Sequence, residues 1–230
     1  MSQPEERIRP FVIGIIGPSG SGKSSLANDL ANRRYLSADD QCYSVALFPE
    51  DPRFFCTAAS TSYKDRDPES EKPCHTDWDA YEQALSRLIV TESRSNRKSG
   101  RSMIIVEHYL LLHNPKVASK VDGVIFLDPG TSDDAMWTCM ERRVSRNPNR
   151  SPMEVFYLCR YYQQHVWKSY LQYCESGART FYNLHHEETT LPENVKRRKR
   201  ALRIECELFS AVDVADQSYD CIMDWLVADK

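Results

Sequence analysis

"VIGIIGPSGSGKSSLANDL", Val12 to Leu30, decides how the rest of the chain is read. Phe11 to Ile16 is an unbroken apolar run with β-branched residues, bounded by Pro10 and Gly17, and it predicts a buried parallel strand. The next eight residues, Gly17-Pro18-Ser19-Gly20-Ser21-Gly22-Lys23-Ser24, satisfy the phosphate-cradling pattern G-x-x-x-x-G-K-[ST]. A helix is predicted from Ser21 to about Asn32. Strand, glycine-rich turn and helix in that order aim backbone N–H groups and the helix dipole at one anion. The ATP-binding set is therefore Gly17, Ser19, Gly20, Ser21, Gly22, Lys23, Ser24 and Ser25, joined by Arg142 from further along the chain. In it Lys23 neutralises the β- and γ-phosphates and Ser24 ligates Mg²⁺.

Working outward, strands and helices alternate. A short second strand is predicted at Tyr35-Leu36-Ser37. Gln41 to Asp77, punctuated by Pro49, Pro52, Pro68 and Pro73, reads as a long loop. Tyr81, Ala84, Leu85, Leu88 and Ile89 recur at helical spacing and predict an amphipathic helix from Asp79 to about Glu92. Strands follow at Met103–Val106 and Val121–Leu127, a helix from Asp133 to about Arg146, and a second helical stretch from Met153 to Glu175. Arg179 to Leu184 reads as a last strand, and Val214 to Leu226 marks one face of a closing helix. The alternation predicts an α/β fold, a parallel sheet with helices on both faces, in a single domain over 1–230. Its strand ends gather the phosphate loop, Asp39 and Glu107 at one edge.

Those residues suit phosphoryl transfer. A carboxylate after the second strand, Asp39 or its neighbour Asp40, is placed to accept the proton of an attacking hydroxyl. Glu107, closing "MIIVE", is placed to hold Mg²⁺ directly or through water. Arg142, Arg143 and Arg146 end the helix after the fourth long strand and suit a lid, about 140–160, that closes on the transferring group. There is no N-K-x-D string for guanine and no Asp-Glu strand end of a motor ATPase.

Bulk properties narrow the partners. The 230 residues are 41% hydrophobic and 27% charged with a net charge of −3, ordinary values for a globular chain. Nothing global calls for nucleic acid, and no apolar run is long enough for a membrane span. The eight cysteines show no C-x-x-C pair, and Cys42, Cys56, Cys74 and His75 match no metal-ligand spacing. With no signal-peptide core at the polar N-terminus, a cytoplasmic chain is expected. The basic run Lys196–Arg200 admits a nuclear address or a phosphate contact beside a solvated face.

Several strings carry a family resemblance: "GPSGSGKSS", "LSADD", "TDWDAYEQAL", "IIVEH", "CMERRVSR" and "QHVWKSYLQY". In this order they resemble the nicotinamide riboside kinases, within the uridine kinase and phosphoribulokinase group of P-loop kinases, from about Phe11 to Leu184. The resemblance implies transfer of the ATP γ-phosphoryl group to the 5′-hydroxyl of nicotinamide riboside, giving nicotinamide mononucleotide for NAD synthesis. It implies Asp39 as catalytic aspartate, Glu107 as the Mg²⁺-associated acid and Arg146 as a lid arginine near the phosphates. It also implies Trp78 as the platform for the cationic ring, with Asp79 and Arg143 on the ribose hydroxyls. The chain departs from the family at His108, where glycine is usual, and at Asn147-Pro148, where an aromatic is expected. Residues 185–207 look like an insertion. A uridine/cytidine kinase and a non-catalytic nucleotide-binding regulator are the alternatives.

Overall fold

The computed structural model describes residues 9–36, 42–49, 54–56, 62–95, 101–178, 200–206 and 209–227. Its strands are β1 (Phe11–Ile16), β2 (Ser44–Leu47), β3 (Ser102–Glu107), β4 (Gly123–Asp128) and β5 (Arg200–Glu205). They form one five-stranded sheet in the order β2-β3-β1-β4-β5, and every neighbouring pair is parallel. The chain leaves β1 with β3 on one side and β4 on the other. The crevice at the carboxyl ends of these three strands is thus the topological switch point where such sheets bind ligands.

Helices cover both faces because the strand residues alternate. Val12, Ile16, Ile104, Val106, Val124 and Phe126 face one layer. It is built by α2 (Trp78–Ser95), the short α3 (Pro115–Ala118), α4 (Asp133–Ser145) and α5 (Pro152–Tyr161). Phe11, Ile13, Ile15, Met103, Ile105, Ile125 and Leu127 face the other layer, with Leu26 and Leu30 of α1 (Lys23–Ala31). A closing helix over Ala211–Val227 completes that side with Val214, Ile222, Trp225 and Leu226. After α5 the chain stays helical but changes pitch: π-helical turns over Tyr162–Val166 and Tyr170–Glu175 flank a short α6 (Trp167–Ser169). The closing helix is α7.

Local chemistry sets the helix starts. Ser132 accepts from the N–H of Ala135 at 3.1 Å to open α4. Ser151 and Glu154 form a reciprocal capping box at α5, with Pro152 in its first turn.

One expected strand is corrected and another lies outside the described residues. The second parallel strand is Ser44–Leu47, inside the stretch read as a loop, not Tyr35–Ser37. Leu36 makes only an isolated antiparallel bridge to Cys42, and Tyr35 is buried in the α1 layer with its hydroxyl donating to the Leu30 carbonyl. The edge strand β2 is only half-covered along its length, so its apolar signal is weak. Arg179–Leu184 lies outside the described residues; the fifth strand is Arg200–Glu205, at the end of the stretch read as an insertion. Its pattern was masked because Arg200, Arg203 and Glu205 interrupt it, while Ile204 alone is deeply buried.

Candidate active site

The phosphate loop runs from the end of β1 into α1. Gly20 and Gly22 hold left-handed φ values of 92° and 99°, a conformation that strains any residue with a side chain. Gly20 has a second reason: a Cβ there would lie 2.1 Å from the Cys139 carbonyl oxygen of α4. The loop is thus seated against the backbone of the arginine-bearing helix. The Lys23 ammonium donates to the Pro18 carbonyl at 2.9 Å, folding back over its own loop. Burial lowers its pKa; the Glu107 carboxylate opposes this and Arg146 adds to it.

Ser24 Oγ lies 2.9 Å from Glu107 Oε2, so the P-loop hydroxyl and the carboxylate closing β3 meet across the crevice. Mg²⁺ fits this pair: both are hard oxygen donors, and that ion takes one or two protein oxygens with phosphate and water completing its shell. Among the described residues no cluster of three or more His, Cys, Asp or Glu is placed to hold a metal.

A cavity opens from this point. It is lined at one end by Ser19, Lys23, Ser24, Glu107, Arg143 and Arg146, and at the other by Tyr63, Arg66, Glu71, Tyr109 and Tyr161. Arg143 donates to the Tyr63 hydroxyl at 3.1 Å and so joins the two ends. Arg142 is turned about 100° around α4 from Arg143. It lines a second cavity on the far side of the phosphate loop, with Ser21, Gly22, Ser25, Phe209 and Val212. One helix therefore gives arginines to both sides of the loop. The Gly17 turn leads into it from β1, also with a positive φ.

Not every expected residue is brought to the first cavity. Asp39 and Asp40 lie outside the described residues. Trp78 and Asp79 are absent from its lining. The Trp78 indole donates to the Pro73 carbonyl at 2.8 Å and packs against Tyr81 and His108. Asp79 is exposed and paired with Lys116 at 3.1 Å. His108, the departure beside Glu107, is buried within an aromatic cluster of Trp78, Tyr81 and Tyr109. Its Nδ1 accepts from the Leu110 N–H at 3.1 Å. Burial, with the nearby Lys23 charge, pushes its pKa down to about 3.

Tyr63, Arg66, Glu71 and Tyr161 were missed. The first three lie in the stretch read as a loop, and Tyr161 in an aromatic helix read mainly as core. The available signal was arginine among aromatic and acidic residues in "YKDRDPESE". Asp67 caps the turn Pro68–Glu71 by accepting from the Glu69 N–H at 2.9 Å, which fixes Glu71 at the cavity wall.

A five-stranded parallel sheet in this order, a phosphate loop after its central strand, a carboxylate on the neighbouring strand and a lid with arginines define the P-loop kinase fold. The sequence relatives agree with that class. A uridine kinase of Clostridium botulinum (strain Okra / Type B1) is 27% identical over 194 residues, covering 74% of this chain and 85% of that protein. A uridine kinase of Schizosaccharomyces pombe (strain 972 / ATCC 24843) is 29% identical over 177 residues, covering 69% of this chain and 36% of that protein. Among solved structures, a sugar kinase from Janibacter sp. HTCC2649 is similar at a TM-score of 0.47 and 13% identity, over 95% of this chain and 98% of that one. No protein-family model matches the chain. Among the described residues no helix is long and apolar enough to cross a membrane.

Proposed function

We propose that the chain is a P-loop phosphotransferase that moves the γ-phosphoryl group of ATP to the 5′-hydroxyl of a ribonucleoside. The observation that carries this is the 2.9 Å contact of Ser24 with Glu107 at the head of a cavity with two lid arginines. In this reading the adenosine end of ATP lies by Arg142, Phe209 and Val212, and its phosphates cross the loop toward Lys23. Mg²⁺, when bound at Ser24 and Glu107, supplies charge neutralisation on the phosphate oxygens. Arg143 and Arg146 stabilise the transferring group and exclude water. Asp39 accepts the proton of the attacking hydroxyl. The intact Lys23, Ser24 and Glu107 favour turnover over a purely regulatory nucleotide-binding role.

Two acceptors compete. The sequence resemblance favours nicotinamide riboside, with Trp78 under the ring and Asp79 on the ribose. The relatives favour a pyrimidine riboside, and so does Arg66, whose guanidinium already lies over the rings of Tyr63 and Tyr161 at 5.4 and 5.6 Å. A cationic pyridinium would need ring faces that the Arg66 cation already covers. We therefore place the pyrimidine riboside first. ADP release measured with uridine, cytidine, nicotinamide riboside and its neutral reduced form tests both levels. Release with uridine above the others is the expected result. Preference for nicotinamide riboside reverses the order of acceptors, and no release with any riboside returns the chain to the regulator reading.

A further inference from the structure

The acceptor end of the cavity holds a carboxylate and a guanidinium side by side. Glu71 is only 9% exposed yet lines the cavity. Its Oε1 accepts from the Tyr161 hydroxyl at 3.1 Å and lies 3.7 Å from Arg66 Nε. Burial and the Glu71 charge raise the Tyr161 pKa, so the phenol keeps its proton and remains a donor. Among the described residues Glu71 Oε2 makes no hydrogen bond, and Arg66 donates only through Nε, to Ser70 Oγ at 3.4 Å. Two terminal nitrogens of Arg66 and one oxygen of Glu71 are therefore available where the cavity is flanked by the Tyr63 and Tyr161 rings.

Arg66 and Glu71 border the cavity with side chains 21% and 12% exposed, so a ligand there exchanges water for charge-assisted hydrogen bonds. A carboxylate oxygen beside a guanidinium N–H is matched by a ligand edge that carries an N–H donor next to a carbonyl acceptor. We infer that Glu71 and Arg66 read the imide edge of a neutral nucleobase: Glu71 Oε2 accepts from the ring N–H, and an Arg66 terminal nitrogen donates to the adjacent carbonyl. This rests on the nucleoside kinase reading and makes Glu71 the residue that selects the acceptor. Tyr161 positions Glu71 through Oε1 and makes no contact with the base edge.

Substrate methylation at that N–H separates the roles. KM for uridine and for 3-methyluridine is measured in the wild type, Glu71→Ala and Arg66→Gln, with kcat as a second readout. Glu71→Ala is expected to raise KM for uridine by about 10-fold, one charge-assisted hydrogen bond, and to leave KM for 3-methyluridine within about 3-fold. Arg66→Gln is expected to raise both, since both substrates keep the carbonyl. An equal rise for the two substrates in Glu71→Ala overturns the inference and makes Glu71 structural. Tyr161→Phe serves as a second variant that leaves the Glu71 carboxylate in place. It keeps the ring and loosens the capped turn that carries Glu71, because the same hydroxyl also bonds the Asp67 carbonyl and Ser70 Oγ; a smaller selective rise for uridine is expected. If the wild type uses 3-methyluridine as well as uridine, the inference fails without any variant. If no nucleoside is phosphorylated, the kinase reading fails first and takes the inference with it.

Discussion

The two ends of the cavity are built by different means. The phosphate end is made from a contiguous loop, the strand before it and the helix after it. Lys23, Ser24 and their backbone donors are within a few residues of one another, and Glu107, Arg143 and Arg146 join them from β3 and the end of α4. The acceptor end has no such local unit. It joins the capped turn Pro68–Glu71 to the aromatic helical stretch 90 residues away, through Tyr161 and Glu71. A site of the first kind gives the same chemistry in many folds, whereas the second kind is where one kinase differs from another. Changes at the phosphate end should therefore abolish turnover for every acceptor, and changes at the acceptor end should redistribute preference among acceptors.

The largest effect expected is at Lys23. Lys23→Ala removes the charge on the β- and γ-phosphates and should lower kcat/KM by about 10³–10⁵-fold with any acceptor. A loss confined to one nucleoside would erase the distinction between the two ends. Asp39→Asn keeps size and loses the base, so turnover should fall by about 10²–10⁴-fold while ATP affinity, read by equilibrium titration, changes little. Near-normal turnover would move the proton to another acceptor, Asp40 being next in line.

His108 lies where the two ends meet, and its prediction concerns stability. In the folded chain its pKa is about 3, against about 6.5 when unfolded. Between those values the unfolded chain binds the proton and the folded chain does not, so stability rises with pH across this window and is lost as pH falls. The loss from pH 7 to pH 5 should be about 2 kcal/mol for this one group. Urea midpoints at the two pH values in wild type and His108→Phe check it; an unchanged pH slope in the variant would mean that His108 is not held neutral.

The smallest effect, and the sharpest for the choice of acceptor, is at Trp78. If the indole supports a cationic ring, Trp78→Ala should raise KM for nicotinamide riboside over its neutral reduced form by the cation–π share, about 0.5–2 kcal/mol. If the ring only buttresses His108 and Tyr81, both values should move together. Asp79→Ala, by contrast, should leave that ratio unchanged.

What was legible in the sequence follows the same division. The phosphate loop, its flanking strand and helix, and the lid helix were read directly, because their signals are local: a filled motif, a β-branched run, an apolar period of 3.6 residues. The position of Glu107 at the end of β3 was legible because it closes a short apolar run. The edge strand β2 was not, since half-exposed Val45 and Ala46 give little alternation. The acceptor residues were hidden for a different reason. Arg66 and Glu71 acquire meaning only when Tyr161 is laid beside them, and that proximity is a product of the tertiary fold.

One feature of the helical stretch after α5 reaches beyond its composition. A π-helical turn is an α-helix carrying one surplus residue, and this stretch has two, at Tyr162–Val166 and Tyr170–Glu175. The first separates Tyr162, which donates to the Ser19 carbonyl of the phosphate loop, from Tyr170, which donates to Asp128 at 3.0 Å at the end of β4. A further residue inserted between Tyr162 and Tyr170, if it were not absorbed in the same way, would swing everything beyond it by about 100°. Tyr162 and Tyr170 would no longer reach the sheet together. The length of this segment, counted to the residue, is as much a determinant of the nucleotide site as any side chain in it, so insertions and deletions here should be worse tolerated than substitutions.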